Sequence, residues 1–198
     1  MTRKRPAFAG VIAFLLVAAV CVAITRRAVR STNSEARIWR LLHSPSSGPY
    51  GNYWLPRAAR GEIREMGTNA IPCLLHALDV TGGGPSRLDK FMMCHPRLPA
   101  WLKSRYLPRW EVAEHVADAF GCLGPDAAPA IPALLTRLSN PRIAEAAGSC
   151  FMAMGPRAKS AVPDLLIAIQ NTNSPVRNAA CSALICVDPE AASRAGIQ

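Results

Sequence analysis

The sequence predicts an all-α chain, a short solenoid of helix pairs set behind a single membrane-spanning helix, and three observations carry that prediction. The stretch AFGCLGPDAAPAIPALL (119–135) returns 31 residues later as CFMAMGPRAKSAVPDLL (150–166). Within each copy the apolar residues recur at offsets of three and four, the spacing that gathers side chains on one face of a helix. Near the N-terminus, FAGVIAFLLVAAVCVAIT (8–25) runs eighteen residues without a charge.

The elements follow in chain order. Residues 1–7 form a short basic tail holding Arg3, Lys4 and Arg5. The uncharged run 8–25 is close to the length a helix needs to cross a bilayer's hydrocarbon core, and Arg26-Arg27 follow it at once. A cleaved signal peptide is the alternative, but its apolar core is usually about 7–15 residues with a small-x-small cleavage site. The expectation is therefore an uncleaved, single-pass membrane anchor. Three Lys or Arg precede the run and five follow it closely (Arg26, Arg27, Arg30, Arg37, Arg40), too even a balance to orient the chain. Residues 26–50 read as a linker, with HSPSSGPYGN (43–52) its most flexible composition. Residues 51–198 read as the repeat domain.

Aligning the copies on their Gly-Pro pairs sets Val112, Val116, Ala119, Phe120 and Leu123 against Ile143, Ala147, Cys150, Phe151 and Met154. A shift of 33 continues the series at Val176, Ala180, Ala183, Leu184 and Val187. Asn140-Pro141 and Ser174-Pro175 read as starts of two of these helices, a capping side chain followed by proline in the first turn. The second helix of each unit repeats too, with Ile131, Leu134, Leu135 and Leu138 matching Val162, Leu165, Leu166 and Ile169, and upstream Ile71, Leu74, Leu75 and Leu78. Pro132, Pro163 and Pro72 follow the first apolar residue of each set, and proline belongs only in a helix's opening turn. Each unit thus reads as helix, Gly-Pro turn, helix, polar connection. One pair cannot bury its own apolar face, so such units must stack.

LGPDAAPAIPALLTRL, MGPRAKSAVPDLLIAI and SPVRNAACSALICVDPEA resemble HEAT repeats, in particular the short bacterial type related to phycobilisome-lyase HEAT-like modules. IREMGTNAIPCLLHAL (63–78) resembles a divergent first copy. The resemblance implies a right-handed stack of antiparallel helix pairs whose surface binds other macromolecules. The array is interrupted by an insertion at about 80–109. It also stops after the first helix of its last unit, an open end that invites self-association or a partner.

The formal charge of +10 is unevenly placed: +7 over residues 1–40, +5 over 41–110 and −2 over 111–198. A mildly acidic repeat region argues against a nucleic-acid partner. The seven cysteines lack the paired spacings of a zinc site. Cys122, Cys150, Cys181 and Cys186 align with Ala or Gly in other copies, as small packing residues do. The histidines are scattered, and the single Glu114-His115 pair aligns with Glu145-Ala146, so the repeated His-Glu pairs of the HEAT-like iron hydroxylases are not matched. No nucleophile-base grouping or phosphate-cradling loop is present.

The insertion interleaves Trp101, Tyr106 and Trp110 with Lys103, Arg105 and Arg109. Aromatics beside cations suit a membrane surface or a partner contact, and equally packing on the solenoid with solvated charges. The expected function is a membrane-anchored, non-enzymatic scaffold for an unidentified protein partner, with no catalytic, cofactor-binding or metal-binding residues. The alternatives are an enzyme or enzyme-maturation factor of the lyase-like HEAT families, and a nucleic-acid-binding HEAT module.

Overall fold

The computed structural model describes residues 34–44, 54–95 and 106–197. The chain divides into two compact units, 1–37 and 38–198. Of the first, only the opening of one helix is described, and the architecture below is that of the second. The described residues form helices and no strands, so the all-α expectation holds. The tail 1–7 and the apolar run 8–25 lie outside the described residues, and no described helix is long and apolar enough to cross a membrane.

The first helix, α1 (Ser34–Leu42), falls inside the stretch expected to be a linker. Its Ile38, Leu41 and Leu42 stand at i, i+3 and i+4, and all three are buried in the core. The Leu42 carbonyl, one of those a helix end leaves without an internal partner, accepts the His115 Nδ1–H at 2.7 Å. The linker reading therefore needs correction over these residues, because α1 contributes to the core of the unit that follows.

Next come α2 (Arg57–Met66) and α3 (Ile71–Thr81), joined by a 3-10 turn over Gly67–Ala70. The insertion then supplies a helix of its own, α4 (Arg87–Cys94). Ser86 accepts the Asp89 amide while Asp89 accepts the Ser86 amide, a complete capping box. The repeated part follows as α5 (Arg109–Leu123), α6 (Ile131–Leu138), α7 (Ala144–Met154), α8 (Val162–Ala168) and α9 (Ser174–Val187). α10 (Pro189–Arg194) is the last described helix. It is capped by Asp188 and buries Ala191 and Ala192, so a short helix packs where the last unit was expected to lie open.

The connections inside the pairs are tighter than a simple turn. Seven residues of 3-10 helix, Gly124–Ala130 and Gly155–Ala161, carry the chain from α5 to α6 and from α7 to α8. Gly124 (φ 62°) and Gly155 (φ 56°) stop α5 and α7 with a positive φ that a side chain would strain. The second helices begin at Ile71, Ile131 and Val162 with proline next, as the sequence predicts. One start signal misleads. α7 begins at Ala144 instead of at Pro141, because the Asn140 side chain accepts the Arg142 amide at 3.1 Å and closes a turn of its own. In α9 the capping position is Asn173, and Ser174 is the first helical residue.

Helices α5, α7 and α9 pack side by side in that order, with α2 and α3 on the outer side of α5 and α10 against α9. Phe120, Phe151 and Leu184 are fully buried at matching positions of the three central helices. Small residues bring these helices close. A Cβ added to Gly148 would lie 3.1 Å from both the Ala179 methyl and its carbonyl oxygen. On the other side of the pairs, Arg137 of α6 holds Asp79 of α3 with two nitrogen–oxygen contacts, 2.8 and 2.6 Å.

Candidate functional site

The packing of α5, α7 and α9 leaves a groove along their outward faces. One part, about 490 Å³, lies between α7 and α9 and is bordered by Glu145, Ser149 and Met152 with Asn178 and Ser182. A second, about 380 Å³, lies between α5 and α7 and is bordered by Glu114, Asp118, Ser149 and Met152, with Trp54 and Cys186 at its margins. Ser149 and Met152 belong to both, so the two parts adjoin across α7.

The groove is built from the same helical positions in successive copies. Glu114, Glu145 and Asn178 make one row, and Asp118, Ser149 and Ser182 make a second, four residues further along each helix. Positions i and i+4 share a helix face, so a repeat in the sequence becomes two polar rows in space. Apolar side chains border the groove beyond the second row, Met152 three residues past Ser149 on α7 and Trp54 ahead of α2. Met152 is 42% exposed and Trp54 is 59% exposed, high values for side chains of their size. Among the described residues, those bordering the groove include three carboxylates and no lysine or arginine.

Electrostatics separate the carboxylates. Burial, and then the charge of Glu145, push the Glu114 carboxyl above its usual range, opposed by a hydrogen bond from the Ser149 hydroxyl at 3.4 Å. Asp118 is buried and satisfied: it accepts the Leu55 amide at 2.9 Å and pairs with the Arg60 Nε at 3.0 Å. The Arg60 guanidinium in turn lies 5.3 Å from the centre of the Trp54 ring, within cation–π range. Asp118 therefore orients the Arg60–Trp54 wall, and Glu114 faces the groove with its charge poorly compensated.

The residues singled out from the insertion are placed in part. Trp101, Lys103 and Arg105 lie outside the described residues. The Tyr106 hydroxyl donates to Asp89 at 2.7 Å, and the Arg109 backbone amide donates to the same oxygen at 3.1 Å. Trp110 is half-buried in the first turn of α5. Asp89 thus ties both ends of the insertion together. Burial opposes ionisation, but hydrogen bonds with the Ser86 and Tyr106 hydroxyls and the Ser86 and Arg109 amides hold its pKa down to about 2.

The Glu114-His115 pair divides between two environments, Glu114 in the groove and His115 in the core against Leu42. No three His, Cys, Asp or Glu side chains among the described residues converge as a metal site would require. Cys150 is buried, and burial pushes its thiol far above the ordinary range. Asp118 was not singled out from the sequence. Its signal was available as a charged residue aligned with Ser149 and Ser182 on otherwise apolar helices. No protein-family model, no curated protein and no solved structure matches this chain.

Proposed function

We propose that this chain is a membrane-anchored, non-enzymatic scaffold: a short α-solenoid of HEAT-like helix pairs, held to the bilayer through residues 8–25, that binds another protein along the groove on α5, α7 and α9. The observation that carries the reading is the groove's construction from equivalent positions of successive helices, Glu114/Glu145/Asn178 and Asp118/Ser149/Ser182. Repeat surfaces of this kind recognise extended partners, because each added unit lengthens one continuous face. The exposed Met152 and Trp54 supply apolar contact of the sort that anchors protein interfaces.

A photo-crosslinking amino acid at Met152 tests the reading in intact membranes, with the same probe at Ile167 on α8 as control. A discrete protein adduct is expected from position 152, lost when Trp54→Ala is added, and none from position 167. Equal labelling from both positions would overturn the assignment of the groove. The anchor is tested separately: the full chain should remain in the membrane pellet through a carbonate wash, and recovery of a mature chain beginning near Ile24 would show a cleaved signal instead.

A further inference from the structure

We infer that the groove takes an extended, polyproline-II-like segment of a partner protein carrying lysine or arginine at positions i and i+3. The inference rests on the scaffold reading and adds to it the chemistry and spacing of the occupant.

The charge comes first. Glu114 and Glu145 occupy the same position on neighbouring helices and both border the groove, while Arg60, beside Trp54 at the α5 part, is already engaged by Asp118 and Trp54. Partial burial, and then the charge of Glu145, raise the cost of ionising Glu114. A cationic side chain delivered between α5 and α7 relieves both. An acidic segment adds a third like charge, and the row excludes it.

The spacing comes next. Helices packed through small residues lie about 8–10 Å apart, and α5 meets α7 through such a contact, where a Cβ added to Gly121 would lie 2.9 Å from the Ala153 carbonyl oxygen. A polyproline-II segment has three residues per turn and rises about 3.1 Å per residue, so residues i and i+3 sit on one side about 9 Å apart. A β-strand alternates its side chains with a period of two and would turn residue i+3 away. A segment crossing the helices in the polyproline-II form therefore sets one cation at Glu114 and the next at Glu145. Residue i+6 reaches Asn178, which suits a polar group without charge. Met152, about 10 Å beyond Glu145 along α7, and Trp54 flank the segment's path as apolar contacts, as aromatics do in grooves that bind such segments.

The test is selection from a phage-displayed random dodecapeptide library on the full chain in detergent micelles, followed by affinity measurements with the enriched peptides made synthetically. The expected result is enrichment of Lys or Arg at i and i+3. Glu145→Gln should weaken such a peptide about tenfold, and Asp164→Asn, on the opposite face of the pairs, should leave it unchanged. Peptides that are uncharged or acidic, yet lose binding with Met152→Glu, would overturn the basic occupant and leave the scaffold reading standing. Basic peptides lacking the i, i+3 spacing would overturn the polyproline-II register. Peptides that bind Met152→Glu undiminished, or no enrichment at all, would overturn the inference, and the crosslink from position 152 then decides the scaffold reading by itself.

Discussion

The buried carboxylate of Asp118 accepts the backbone amide of Leu55 at 2.9 Å, joining two points of the chain 63 residues apart. Leu55 lies just before α2 and Asp118 in the middle of α5, so this bond fixes where the first helix pair meets the repeated part. Truncation to Asp118→Ala leaves a buried amide without an acceptor and removes the partner of Arg60. The expected loss is about 2–3 kcal/mol of stability. Asp118→Asn keeps an oxygen for Leu55 and should cost about 1 kcal/mol. Urea melts give both values, provided that the chain is shortened no further than Ser34, since removing α1 would uncover the core that Ile38 and Leu42 help to fill. Equal losses for the two variants would mean that the ion pair, and not the amide bond, is the stabilising contact.

The aligned core positions allow a ranking. Phe151 is fully buried in α7, which packs against α5 on one side and α9 on the other. Phe151→Ala should cost roughly 3–5 kcal/mol, the range for emptying a large aromatic site in a packed core. Leu184 removes less volume and lies in α9, beside the short closing helix, so Leu184→Ala should fall at about 2–4 kcal/mol. Arg142 is exposed, and Arg142→Ala should change stability by only a few tenths of a kcal/mol. The same melts rank the three. A Phe151→Ala chain as stable as the Arg142→Ala chain would show that the three central helices do not share one core.

These two cases mark what the sequence makes legible. Phe120, Phe151 and Leu184 follow a period, and a period can be read before any fold is known. The prolines at 72, 132 and 163 act within one helical turn, so their effect is local and readable. Asn140 shows the limit of local signals, since Asn-Pro is compatible both with a helix start and with a turn closed by the Asn side chain. α1 carries the right apolar spacing at Ile38, Leu41 and Leu42, but a nine-residue helix is not stable alone. Its existence depends on a core assembled from residues far along the chain. The groove lies between these extremes. Its rows were present in the alignment as Glu114/Glu145/Asn178, yet only the packing of α5 against α7 reveals that they face solvent together.

Thiol reactivity separates a packing cysteine, Cys150, from an exposed one, Cys94. Cys94, at the end of α4, is exposed, and Cys150 is buried in α7. Burial, with a smaller contribution from the charge of Glu114, keeps the Cys150 thiol protonated, and the thiolate is the reactive form. Maleimide at neutral pH should modify Cys94 within minutes and leave Cys150 unmodified until denaturant is added, as read by peptide mass mapping. Labelling of Cys150 in the native protein would show that the interface between α5 and α7 opens.

The clasp on the insertion predicts a titration signature at both ends of the pH scale. Burial, then the hydrogen bond to Asp89 and its charge, push the Tyr106 hydroxyl up to about 12, and Asp89 is held down to about 2. The two shifts act in opposite pH windows. Asp89 binds its proton more weakly in the folded chain than in the unfolded one, so its contribution is complete above about pH 4 and is lost as the pH falls toward 2. Tyr106 holds its proton more tightly when folded, so its contribution is complete below about pH 10 and is lost as the pH rises toward 12. Among the chain's three tyrosines, Tyr106 should therefore ionise late in an ultraviolet titration. Asp89→Asn removes the negative charge that opposes phenolate formation, and the late phase should move back toward the ordinary tyrosine range. Tyr106→Phe should abolish it and cost about 1 kcal/mol, the usual net value of one hydrogen bond. If the late phase survives Tyr106→Phe, another tyrosine carries it, and Asp89 closes the insertion through the Ser86 and Arg109 amides alone.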